Sequence, residues 1–262
     1  MSKKFSNIII NHPNNGVARI ILNESSTYNA LSLITIKSLI SSFKNLDKDN
    51  SVKVILIEGS GKGFCAGHNL KEIKSLKNKS DYQKLFSLCS KLMMQIINLK
   101  KPVIAKVHGA AFAAGCQLVA TCDLAISSSN AIFATPGVNM GLFCSTPMVA
   151  VSRNVEKKKI MKMLLTGERI DAAYAKEIGL INDHYDDSIL EDEVVKLAEQ
   201  IASKSNKVIK IGKQAFYKQL EMPLEKAYSY TSKVMTENMM LLDAKEGISA
   251  FIEKRKPKWK NK

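Results

Sequence analysis

The chain has 262 residues, of which 45% are hydrophobic and 24% charged, and carries a formal net charge of +15. That length suits one well-buried core with an appended lobe, and no apolar run approaches the roughly 18 residues a membrane span needs, so a soluble protein is expected. Nucleic acid is not expected as a partner despite the charge: only Arg19, Arg153, Arg169 and Arg255 are arginines and the lysines are scattered, as solvated side chains or as neighbours of an anionic small ligand.

Cys65, Cys89, Cys116, Cys122 and Cys144 form no C-x-x-C pair, so neither a disulfide framework nor a metal site is expected. Met1 to Asn7 lacks the apolar stretch of a secretory signal, which leads us to expect the cytoplasm.

Ser6–Asn11 and Val17–Leu22, joined through His12, Pro13, Asn14, Asn15 and Gly16, read as a hairpin. Ser32 is expected to cap a helix in which Leu33, Ile36, Leu39, Ile40, Phe43 and Leu46 recur at helical spacing. Val52–Glu58 reads as a buried strand that runs into the small-residue turn Gly59–Leu70. A helix over Asp81–Leu99 and a strand over Pro102–Val107 follow, and then a second small-residue turn, His108–Gly115. A short helix, Gly115–Thr121, leads to strands at Cys122–Ser127 and Ala131–Phe133. The alternation predicts an α/β core.

Beyond Pro147 the pattern is helical, at Lys157–Leu165, Asp171–Ile178, Ser188–Lys204, Lys207–Leu220, Leu224–Leu242 and Asp243–Lys254. Asp171, Ser188 and Pro223 supply start signals. We therefore expect a core over residues 1–195 and a helical C-terminal lobe over 196–262.

Gly61–Ala66 formally matches a G-x-G-x-x-A dinucleotide fingerprint, but no acidic residue closes a second strand about twenty residues on. A phosphate loop fails as well, because Gly63 follows Lys62. The glycines have another use: they let a ligand carbonyl approach the main chain, and two such turns can aim two backbone N–H groups at one oxygen.

Gly59-Ser60-Gly61-Lys62-Gly63-Phe64-Cys65-Ala66-Gly67-His68-Asn69-Leu70-Lys71-Glu72 resembles the G-x-x-x-x-F-C-A-G-x-D-L-x-E segment of the crotonase, or enoyl-CoA hydratase/isomerase, family. Lys101–Gly109, Gly115–Leu118 and Cys122–Leu124 are similar to its K-P-V-I-A through C-D-x segment, and the likeness runs on through Thr166–Ala172 to Phe251–Pro257. The resemblance implies a crotonase-like spiral of strand-strand-helix units. It implies an acyl-CoA thioester as substrate, with no separate cofactor, and trimers or dimers of trimers in which the C-terminal helices cover the site. It places the oxyanion donors on the backbone N–H of His68 and of Ala114, and substrate contacts on Ala66, Gly67, Asn69, Leu70, Lys71 and Lys254.

The same resemblance puts the two glutamates that add and remove water on Gln117 and Gly137, so both carboxylates are missing. An amide can orient water but cannot take its proton, and no Asp or Glu occurs between Asp123 and Glu156. His68, His108, Asn69, Asn139, Cys144 and Ser145 remain nearby; His68 is the first candidate for a substitute base and Cys144 a candidate nucleophile, each weighed against a purely structural role. The runs Phe133–Pro147 and Gly212–Leu220 look like one subgroup of the family, mitochondrial in animals. Three functions compete: a hydratase or isomerase, a decarboxylase of malonyl-type thioesters, and a non-catalytic acyl-CoA-binding protein.

Overall fold

The computed structural model describes residues 7–12 and 15–262, so Ser6 and the Pro13 and Asn14 of the expected hairpin turn lie outside the described residues. Strands β1 (Ile8–Asn11) and β2 (Val17–Leu22) pair antiparallel, Ile8 opposite Leu22. β2 then pairs in parallel with β3 (Val54–Gly59), β3 with β4 (Val103–Val107), β4 with β6 (Leu124–Ser128) and β6 with β9 (Asp183–Tyr185). A smaller sheet places β7 (Ile132–Ala134) between β5 (Ala110–Phe112) and β8 (Arg169–Asp171).

The central strands are buried on both faces, which is why β3 reads as an unbroken apolar run rather than an alternation. Ile55 and Ile57 face one core, shared with α1 (Leu33–Lys48) and α3 (Lys79–Asn98). Val54 and Leu56 face the other, closed by Leu190, Val194 and Ala198 of α8 (Asp187–Ala202). α1 forms as expected: the Ser32 side chain accepts from Thr35 N–H, and Ile36, Leu39, Phe43 and Leu46 are buried along one stripe. Each fully buried side chain of this size contributes about 1.5–3 kcal/mol.

The remaining helices are α2 (Leu70–Ser75), α4 (Ala114–Thr121), α5 (Ser145–Val151), α6 (Lys157–Thr166), α7 (Ala172–Glu177), α9 (Asn206–Leu220), α10 (Leu224–Met239) and α11 (Leu242–Ile252). Several bounds differ from the sequence reading. Cys122 and Asp123 are not strand: Cys122 ends α4, and the strand starts at Leu124. Asp171 caps α7 by accepting from Tyr174 N–H, as its position promised. The other two start signals work differently, since Asp186 precedes α8 without a side-chain capping bond and Pro223 stands just outside α10. β5, β8, β9, α2 and α5 were not foreseen, being three to seven residues each and held by contacts distant in sequence.

The expected division at residue 195 falls inside α8, which packs on the sheet. α9 is anchored by a buried charge: Lys213 Nζ donates to Ile96 O (3.0 Å), Lys101 O (2.9 Å) and Asp123 Oδ2 (2.6 Å). Asp123 also accepts from Val103 N–H at 2.7 Å and from the Tyr217 hydroxyl at 3.0 Å. Burial, reinforced by Asp123, pushes the Tyr217 phenol upward, so it stays a donor. Sequence reasoning missed this cluster because a lysine on an amphipathic helix normally reads as solvated.

Candidate active site

The two small-residue turns lie side by side. Cys65 N–H donates to Ala110 O at 3.0 Å and Phe112 N–H to Cys65 O at 2.9 Å, a short parallel ladder between them. Glycine is required at the contact: a Cβ on Gly115 would lie 2.0 Å from Cys65 O. Gly67 has φ +98°, a conformation side chains resist, and its missing Cβ would lie 3.0 Å from Phe112 O and 3.4 Å from Ala114 N. The chain thus brings His68, the next residue, against the start of α4.

His68 N–H and Ala114 N–H have no hydrogen-bond acceptor among the described residues, although Gly67 O accepts from Leu31 N–H and Ala113 N–H donates to Ala134 O. Ala114 is the first residue of α4, where no intrahelical acceptor exists. Ala113 just before it is held at φ 48°, ψ −113°, strained for a residue with a side chain. Local strain of this kind is most often kept where a site needs it.

Gln117 follows Ala114 by three residues and therefore shares its face of α4. It is 4% exposed, and its Oε1 is buried without a hydrogen bond. Gly137 lies in a 3-10 turn, Pro136–Met140, after β7. A Cβ there would meet Leu142 O at 2.7 Å and Cys144 Sγ at 2.9 Å, so the place of a second carboxylate is filled as well as unfurnished.

The His68 imidazole turns inward. Its ring packs edge-on against Phe86 with centroids 5.5 Å apart, Nδ1 lies 3.4 Å from Leu31 O, and Nε2 is buried without a partner. Burial, only partly opposed by Leu31 O, holds its pKa below the ordinary imidazole value, so the ring is neutral at pH 7. His108 is committed elsewhere, Nε2 lying 2.9 Å from Gly61 O.

The substrate-contact candidates divide. Ala66 and Gly67 line the His68 turn, while the Asn69 side chain is the cap of α2 and accepts from Lys71 and Glu72 N–H. Leu70 and Lys71 are exposed on α2. Lys254 is exposed just beyond α11 with φ 53°, and no hydrogen bond or ion pair among the described residues joins it to the Ala66–His68 turn.

The α/β core thus leaves two backbone N–H groups on adjacent turns without an acceptor among the described residues. A family model described as Enoyl-CoA hydratase/isomerase matches residues 12–262, and the chain belongs to that family. It is 47% identical over 244 residues to human Enoyl-CoA hydratase domain-containing protein 3, mitochondrial, covering 93% of this chain and 80% of the relative. The zebrafish (Danio rerio) protein of the same name is 44% identical across 100% of this chain and 90% of its own. The crystal structure of the human protein superposes with a TM-score of 0.94 at 45% identity, covering 97% of this chain and 100% of that one. An enoyl-CoA hydratase structure from Mycobacterium smegmatis gives 0.95 at 44%, covering 97% and 98%. The crotonase-like fold expected from the motifs is therefore the fold of this chain.

Proposed function

We propose that this chain is an acyl-CoA enzyme of lyase or isomerase type whose His68 and Ala114 N–H groups hold the thioester oxygen while an enolate develops. The observation that carries this reading is the pair of unsatisfied donors brought together by the Cys65–Ala111 ladder. Such donors act in a water-poor site where each typically contributes about 10²–10³ in rate.

Hydration through paired carboxylates is not supported by Gln117 and by a Gly137 whose neighbours leave no room for a side chain. Decarboxylation of a malonyl-type thioester fits better, because loss of carbon dioxide creates the enolate without a base to start it. A binding protein without turnover is the reading left if no product forms. An acyl-CoA panel with mass-spectrometric detection separates the three. We expect carbon dioxide from malonyl-type esters, and hydration of crotonyl-CoA no faster than a control carrying Ala113→Gly and Ala114→Pro. Hydration well above that control would sink the decarboxylase reading, and tight acyl-CoA binding with no product from any ester would leave only the binding protein.

Phe216, Leu220, Leu224, Phe251 and Ile252 are exposed on α9, α10 and α11. Exposed apolar surface of this kind marks an interaction site, and it supports the trimer or dimer of trimers. Light scattering on the purified chain should show three or six copies; a monomer at micromolar concentration would contradict it. Among the described residues no helix is long and apolar enough to cross a membrane. We place the protein in the cytoplasm, a location that cell fractionation would check and that a mitochondrial fraction would refute. Lys71 and Lys254 are proposed to offset CoA phosphate charge, which would make binding weaken with salt.

A further inference from the structure

We infer that the Cys144 thiol is the proton donor that quenches the enolate at the carbon next to the thioester carbonyl. The assignment rests on the enolate reading above and deepens it.

The placement comes from three elements. β7 runs parallel to β5 with Ala134 opposite Phe112, and Ala113 N–H donates to Ala134 O at 2.9 Å. The Pro136–Met140 turn therefore begins beside the residue that precedes the Ala114 donor. Beyond that turn the chain closes back on itself: Leu142 N–H donates to Gly137 O at 3.0 Å, and Cys144 Sγ accepts from Gly137 N–H. On its other side Cys144 lies near Cys116 of α4, whose own thiol is pushed up to about 12 by burial first and by Cys144 second. The Cys144 sulfur is thus held between the Gly137 turn and the first turns of α4.

A second feature marks this corner as built for a ligand. Gln117, adjacent to Cys116 on α4 and 4% exposed, has a buried Oε1 with no hydrogen bond. A buried acceptor of this kind is costly if it stays unpaired, and a bound hydrogen-bond donor would supply what it lacks. Met140, Leu142 and Phe143 flank the thiol as exposed apolar side chains, a surface suited to an acyl chain.

The chemistry agrees with the placement. No Asp or Glu occurs between Asp123 and Glu156, so the thiol is the acid this corner offers. Burial raises the Cys144 pKa against the opposing Gly137 N–H, so the group is a protonated S–H at neutral pH. In the step itself the bond from the α-carbon to the carboxylate breaks, and carbon dioxide leaves. The electron pair enters the enolate, whose oxygen sits on the His68 and Ala114 N–H groups. That pair then forms the new bond between the α-carbon and the thiol proton. Cys144 is left as a thiolate and takes a proton from water, the lost carboxylate being replaced by hydrogen.

The test is stereochemical. 2-Methylmalonyl-CoA is decarboxylated in deuterated water by wild type, by Cys144→Ser, which keeps a small polar atom for Gly137 N–H, and by Cys144→Ala. Thermal melting establishes that each variant is folded. Wild type is expected to give a single deuterated enantiomer of propionyl-CoA, and both variants a mixture, with kcat lowered by up to about 10². A wild-type product of mixed configuration, or variants that keep the single enantiomer at the wild-type rate, overturns the assignment while the enolate reading stands. Absence of carbon dioxide from the folded wild type overturns both.

Discussion

Replacing Ala114 with proline in an Ala113→Gly background should lower kcat by about 10²–10³, the value of one oxyanion donor, with little change in melting temperature. Ala114 opens α4, and its N–H has no partner within the protein. Proline is accommodated at a first helical position, since its fixed φ suits the helix and the N–H it removes is already unused there. The second change is needed because proline restricts the residue before it, and Ala113 already stands at φ 48°, ψ −113°. Glycine relieves that strain, worth about 1–3 kcal/mol, and more than offsets its own entropic cost of about 0.5–1 kcal/mol. Turnover is measured with the ester that wild type processes, and circular dichroism follows the fold. An unchanged kcat in the folded variant would refute the donor role of Ala114.

Lys213→Met should cost about 3–5 kcal/mol, the usual penalty for stripping one partner from a buried ion pair. For a chain of this size that is a fall in melting temperature of roughly 6–20 °C. The side chain is 5% exposed and its three donors reach Ile96 O, Lys101 O and Asp123, whose own side chain is 16% exposed. Methionine nearly matches the stem, so the loss is electrostatic rather than a cavity. Asp123 would keep Val103 N–H and the Tyr217 hydroxyl but lose its counter-charge. The double variant Asp123→Asn with Lys213→Met should be less damaged than the sum of the two, because residues in one network do not add. Additive losses, or a Lys213→Met melting point within 2–3 °C of wild type, would show that the pair does not anchor α9 as described.

The two variants test different links of the same construction. In the proposed reaction Ala114 belongs to the chemistry, held in place by backbone contacts between two turns. Lys213 belongs to the scaffold, tying a C-terminal helix to the end of α3 and to the segments that join β4 and α4 to their neighbours. A fall in activity with Lys213→Met should therefore track the fraction unfolded, whereas the Ala114 effect should persist in fully folded protein.

Much of this was readable from local chemistry. The two small-residue turns, the Ser32 cap, the helical stripe through Phe43 and the apolar run of β3 are consequences of neighbouring residues, as is the absence of carboxylates at Gln117 and Gly137. Family membership follows from the same motifs, because the glycines that permit close backbone approach are spelled out residue by residue. The sequence by itself therefore determined the fold class and the family, and it named the two N–H groups proposed as oxyanion donors.

Tertiary structure alone decided what those positions face. The His68 ring lies against Phe86, the space at Gly137 is taken by Leu142 O and Cys144 Sγ, and Lys213 is buried on Asp123. The Lys213 and His68 contacts join segments 90 and 18 residues apart, and the one at Gly137 depends on how a loop closes. No periodicity or spacing encodes such contacts, because they follow from which faces the packed elements present to one another.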